Sequence, residues 1–166
     1  MPLQTPGKQS GFTMLEIVIG VALIGILSSM AVPRFLDFIQ RMKGRADASN
    51  NVGYLRAARS MAVTNGAPTG VVFDDGSDQV NIFVDSDMNG QYSPGIDSVV
   101  LGPFEMAGDA TIINSTLVNN SVLFNTDGTA NASGQMEFVF YGDKRQTFVV
   151  NVLASTGKVK MDIKME

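Results

Sequence analysis

The 166-residue chain contains no cysteine and no histidine. Without cysteine no disulfide can staple the fold, so stability must come from a packed core alone. Without histidine the commonest general base and the commonest transition-metal ligand are both missing. A nucleophile motif of the G-x-S-x-G kind is also absent, and paired carboxylates exist by number only, so the sequence reads as a non-enzyme with no catalytic residues. Basic residues are scarce in the second part. Up to Asn65 the chain holds Lys8, Arg34, Arg41, Lys43, Arg45, Arg56 and Arg59 against Glu16, Asp37 and Asp47, which leaves thirteen acidic side chains against five basic ones in the remainder. A surface of that sign repels phosphate backbones and argues against nucleic acid as a partner.

Charge is almost missing from residues 12–33, where every position but Glu16 is apolar, small or a hydroxyl residue. A helix of that span rises on the order of 30 Å, enough to cross the hydrocarbon core of a bilayer. A carboxylate in such a segment costs about 2.5 kcal/mol or more unless it faces water or meets a positive partner. A plain single-pass anchor explains the apolar run but not Glu16. A secretory signal peptide finds a cleavage-like Ser29-Met30-Ala31, yet only Lys8 precedes the run and a carboxylate within it is unusual. A buried soluble helix is disfavoured by length. Counting basic residues places Arg34, Arg41, Lys43 and Arg45 after the run against Lys8 before it, which opposes an orientation with the following domain outside the cytoplasm.

Three segments follow from the pattern: 1–11, which has two prolines and two glycines and no periodicity; 12–66, one long helix with 12–33 as its membrane or filament portion; and 67–166, a β-rich head. Beyond Pro33 a first apolar stripe runs through Phe35, Phe38, Ile39, Met42 and Ala46. A second, half a turn around, runs through Val52, Leu55, Ala58 and Ala62. Two stripes imply two partners: other subunits for the first, the chain's own head for the second. Asn65-Gly66 followed by Pro68 stops the helix. The period then changes to two, with candidate strands at 71–73, 79–84, 98–104, 110–114, 121–124, 137–141, 146–153 and 158–163. Turn signals stand at Asp75-Gly76, Asp127-Gly128, Gly142-Asp143 and Thr156-Gly157. Consecutive hairpins predict one antiparallel sheet covered by the second stripe. The fold class is α+β, a long N-terminal helix, its first half hydrophobic, packed on an antiparallel β-sheet head.

The string GFTMLE, leading into that apolar run, resembles the prepilin peptidase site of type IV pilins and type II secretion pseudopilins. The resemblance implies that residues 1–11 are a leader cut between Gly11 and Phe12, that the new amine of Phe12 is methylated, and that Glu16 is the fifth mature residue. It also implies that Pro33 is the helix-bending proline of the family. Cleavage creates an amine four residues from a carboxylate, so Glu16 of one subunit can neutralise the amine of its neighbour and set axial register. Farther on, ARSMAVTNGAP, NIFVDSDMNG, SVLFNTDGTA and VNVLASTGKVKM are similar to the minor pseudopilin H of type II secretion and the minor pilins FimT and FimU. Lys158 stands where that family's last turn carries arginine, and the disulfide of adhesive major pilins is missing. Membership implies a structural subunit of a pseudopilus or pilus, held in the bacterial inner membrane with a periplasmic head. Its partners are then prepilin peptidase and other pilin or pseudopilin subunits.

One loop carries a ligand pattern. Asp85, Asp87 and Asn89 with Gly90 form a D-x-D-x-N-G run fitting the first half of a calcium loop, with the Gln91 carbonyl next. Position twelve is Ile96, and the carboxylate falls one place later at Asp97, so a closed site needs the Pro94-Gly95 turn to bring Asp97 round. The competing reading is a solvated hairpin loop. Asp74, Asp75 and Asp78 read as a polar turn. Calcium is the only cofactor for which the sequence offers ligands. Two rival functions remain: a DNA-binding minor pilin using Lys158, Lys160 and Lys164, and a membrane-tethered calcium-dependent binding module that never polymerises.

Overall fold

The computed structural model describes residues 11–74, 76–106, 110–140 and 146–165. Residues 1–10, the turn signals at Asp75 and at Gly142-Asp143, and the end of the sixth candidate strand at Tyr141 lie outside them. One helix, α1 (Met14–Asn65), is followed by eight strands: β1 (Thr69–Asp74), β2 (Gln79–Val84), β3 (Ser98–Glu105), β4 (Ala110–Ser115), β5 (Ser121–Phe124), β6 (Gly134–Phe140), β7 (Gln146–Leu153) and β8 (Lys158–Met165). The chain divides into two compact units after Phe38.

In the first unit α1 is preceded by Thr13, whose Oγ1 accepts a hydrogen bond from the Glu16 amide at 3.2 Å. Thr13 and Glu16 thus occupy the N-cap and N3 positions of a T-x-x-E capping sequence. The helix continues through Pro33, although proline has no N–H to donate to the carbonyl four residues back. Every large apolar side chain named between Met14 and Phe38 is exposed, from Ile19 at 50% to Met14 at 85%.

In the second unit the rest of α1 lies on two sheets. Gly44, Ala48, Asn51, Val52, Leu55, Ala58 and Ala62 are buried, which contains the whole second stripe. Three of these are alanines, and small side chains let a helix backbone approach a sheet closely while Val52 and Leu55 fill the space between. The strands pair as β3-β2-β1-β5 and β4-β6-β7-β8, each sheet four-stranded and antiparallel throughout. The single hairpin sheet is therefore corrected to two. The chain leaves β4 and places β5 beside β1, with Thr69↔Phe124 and Val71↔Val122 in register. The physical reason is the distribution of apolar faces. Val71, Phe73, Val80, Ile82, Val122 and Phe124 from the first sheet meet Met136, Phe138, Phe148, Val150 and Val152 from the second in one core with the helix. Phe73 and Phe138 touch edge to face across that core, centroids 5.5 Å apart.

The other face of the first sheet has its own small cluster, Val72, Phe83 and Leu123, with Tyr92 packed against it. Gly70 is required there. It pairs with Phe83 across β1 and β2, and a Cβ on it would come within 2.6 Å of Phe83 Cζ and 2.8 Å of the Val122 carbonyl oxygen. Tyr92, whose ring centroid lies 4.9 Å from that of Phe83, holds the loop between β2 and β3 against this face.

Candidate assembly and ligand sites

The residues predicted to act in processing and assembly all lie at the surface of the first unit. Gly11, Phe12, Glu16 and Pro33 are exposed, Phe12 at 81%. By length and composition α1 can cross a membrane. Glu16 stands in the first turn, where the free amides of the helix N-terminus favour a negative charge. That is a local reason for an acid at this position, and it leaves the side chain available to an external cation.

The acidic loop between β2 and β3 brings together carboxylates that the sequence spreads over twelve positions, from Asp85 to Asp97. Asp85, Asp87 and Asp97 each offer a carboxylate oxygen, and these oxygens all lie within 4.8 Å of one another. Asp85 and Asp97 are buried at 3% and 8% exposure while Asp87 is open to solvent. The turn at 93–97 does carry Asp97 round: the Asp97 amide donates to the Ser93 carbonyl at 3.0 Å, and Ser93 N returns to Asp97 Oδ2 at 2.7 Å. Buried carboxylates need donors, and backbone amides supply them. Asp85 accepts from Asn89 N at 3.2 Å and Gly90 N at 2.9 Å, and Asp97 Oδ1 accepts from Ser86 N at 2.9 Å. Asn89 donates from Nδ2 to Asp87 at 2.9 Å and to Ser93 Oγ at 2.7 Å, and its Oδ1 accepts from Gln91 N. The Gln91 side chain is engaged elsewhere, accepting from Asn119 at 3.1 Å. Each carboxylate oxygen bonded once still has a lone pair, so the loop can hold a hard cation or stand as a self-bonded turn.

The Asp74 turn is polar as expected: Gly76 N and Ser77 Oγ donate to its carboxylate at 3.0 and 2.6 Å. Those bonds, Ser77's first, hold its pKa below the ordinary value. Thr129 does the same for Asp127 in the β5–β6 turn through its hydroxyl and amide. Of the three lysines on β8, Lys160 pairs with Asp162 and Lys164 with Glu137, both at 2.7 Å. Lys158 instead lines a surface groove with Arg56 and Arg59 of α1. Sequence reading missed those two arginines. Their three-residue spacing, which puts them on one helix face, was the available signal.

A family model described as "Type II transport protein GspH" matches residues 47–156, and one described as "Prokaryotic N-terminal methylation motif" matches residues 6–32. The type IV major fimbrial protein FimA of Dichelobacter nodosus is 35% identical over 65 residues, 39% of this chain and 41% of that protein. The match thus spans well under half the length of that relative. Two solved structures share the fold. The minor pilin FimU of Pseudomonas aeruginosa superposes with a TM-score of 0.55 at 16% identity, covering 75% of this chain and 92% of that one. The minor pseudopilin EpsH of Vibrio cholerae gives 0.50 at 11% identity, with 71% and 94% covered. The matched region takes in the sheet-facing half of α1 and every strand through β7, and on that ground the chain belongs to the type II transport protein GspH family, whose members are pilin-like structural subunits and not enzymes.

Proposed function

We propose that this protein is a minor pilin or pseudopilin, a structural subunit of a type II secretion pseudopilus or a type IV pilus. It is cut by prepilin peptidase between Gly11 and Phe12, methylated on Phe12, and held in the inner membrane by residues 12–33 with its β-rich head in the periplasm. The observation that carries this reading is Glu16, an exposed carboxylate in the first turn of α1 and the one charged side chain of residues 12–33, four residues after Phe12 of the Gly11-Phe12 junction. The exposed apolar surface of the first unit needs cover. Lipid supplies it before assembly, and packed helices of neighbouring subunits supply it afterwards, with small residues such as Gly20, Ala22 and Gly25 allowing close approach.

Mass spectrometry of the mature N-terminus tests the reading. An N-methylated Phe12 is expected, and a mature chain starting anywhere else overturns it. Glu16→Ala should abolish incorporation into the filament while leaving membrane insertion intact, because it removes the partner of the neighbour's amine and not the apolar surface. Normal incorporation of that variant would contradict the register role.

The calcium reading of the acidic loop is favoured by the approach of Asp85, Asp87 and Asp97 to within 4.8 Å. Binding there would lock the turn between β2 and β3 through oxygen ligands. Calcium should then raise the melting temperature of the wild-type chain and not of the Asp85→Ala/Asp87→Ala double variant. Equal responses of the two proteins would leave the loop as a self-bonded turn.

A further inference from the structure

We propose that the groove formed by Arg56, Arg59 and Lys158 receives an acidic peptide segment of a neighbouring subunit. The groove has a volume of about 540 Å³ and is completed by Ser60, Val63 and Thr64 of α1 and by Val159. Three cationic side chains converge on it and, among the described residues, no carboxylate lines it, in a chain whose net charge is −4. Among the described residues, the two β8 lysines outside the groove are neutralised by Asp162 and Glu137, whereas no ion pair reaches Arg56, Arg59 or Lys158.

The groove is built into the fold. Arg59 Nε donates to the Gly128 carbonyl at 2.8 Å, tying α1 to the β5–β6 turn. Gly157, at a φ of 59°, lets the β7–β8 turn press against the same place. A Cβ on it would collide with the Gly128 carbonyl oxygen and come within 2.9 Å of Arg59 Nε. One guanidinium edge is therefore fixed by backbone, while Arg56 and Lys158 are exposed and uncommitted. Planar guanidinium groups suit carboxylates, and the hydroxyls of Ser60 and Thr64 add neutral donors beside them. The rest of the head is acidic, so a long polyanion reaching past the groove meets repulsion, whereas a short carboxylate-bearing segment does not.

That the segment belongs to a neighbouring subunit rests on the assembly reading above. The test does not, because it uses the isolated full chain in detergent micelles. Fluorescein-labelled hexaglutamate, followed by anisotropy at low salt, should bind saturably. The Arg56→Gln/Lys158→Gln double variant should weaken it about tenfold, the sum of two exposed charge pairs. Both substitutions leave the Arg59 bond to Gly128 untouched, and unchanged thermal unfolding would show that the variant folds. The Lys160→Gln/Lys164→Gln variant should bind as wild type. Three results would overturn the proposal: no saturable binding, equal weakening by the two double variants, or tighter binding of a single-stranded hexanucleotide than of the peptide, which would assign the groove to nucleic acid. A wild-type chain that binds the peptide but never enters a filament would count against the assembly reading alone.

Discussion

The two halves of α1 are built from the same helical geometry and differ in what covers them. Before Phe38 the apolar side chains point all round the cylinder and every large one is exposed. After it a narrow set, Ala48, Val52, Leu55, Ala58 and Ala62, is buried, and the intervening positions are polar or small apart from Tyr54 and Met61, which pack half-buried against the same core. An amphipathic stripe is the mark of a helix that covers one surface, and an all-round apolar helix is the mark of one enclosed on every side. The first half must therefore find its cover outside the folded chain, while the second half finds it in the two sheets. The first stripe's Phe35, Phe38 and Met42, all more than half exposed, belong with the outward-looking residues.

The sharpest way to break this contrast is to shorten one leucine in each half. Leu55→Ala should destabilise the head by about 2–5 kcal/mol, seen as a clear fall in melting temperature, because Leu55 is 1% exposed. Leu23→Ala, at a side chain 55% exposed, should leave the head's melting temperature unchanged. Next in size is Gly70→Ala, whose added methyl meets the Phe83 ring and the Val122 carbonyl. It should cost about 1–3 kcal/mol by overpacking, read by denaturant unfolding.

Asp47 gives a smaller effect of opposite sign. It sits partly buried on the sheet-facing half of α1, and among the described residues its Oδ2 has no hydrogen-bond partner. Burial raises its pKa, against a lesser opposing pull from Lys43. A carboxyl whose folded pKa lies above its unfolded value favours the fold below the unfolded value, and that contribution is lost as pH rises through the folded one. Asp47→Asn should therefore stabilise the protein at neutral pH, by less than about 1 kcal/mol given solvent screening, and should flatten this part of the pH profile.

Smallest is the acid response of the head turns. Asp74 and Asp127 have folded pKa values below the ordinary one because of hydrogen bonds from Ser77 and Thr129. Their contribution is complete above the unfolded value and lost as pH falls through the folded one. Asp74→Asn should reduce the slope of melting temperature against pH in that acid range, and an unchanged slope would show that the Ser77 and Gly76 bonds contribute nothing.

Much of the fold was legible in the residues because local chemistry specifies it. Asn65-Gly66 ended the helix where the structure ends it, with Gly66 at a φ of 65°. The spans of β2, β5 and β7 follow from alternation between turn signals. The second stripe is buried as its spacing requires. The division into two sheets was not legible, since nothing near residues 116–120 signals that β5 will pair with β1. Hairpin reasoning assumes that neighbours in sequence are neighbours in space, and β4 and β5 violate it. The acidic loop was half legible: the D-x-D-x-N-G run names Asp85, Asp87 and Asn89, but whether Asp97 closes on them depended on how the 93–97 turn folds back.

The sequence by itself determined the apolar run of residues 12–33 with its lone Glu16, the helix stop and the strand-forming segments. These are properties of residues a few positions apart, set by periodicity, turn chemistry and the cost of a charge among apolar groups. Only the tertiary structure decided that Phe73 and Phe138 close two sheets on one core, that Asp97 joins Asp85, and that Arg56, Arg59 and Lys158 share a groove. Those juxtapositions join residues up to about a hundred positions apart, and packing of the whole chain is what selects them.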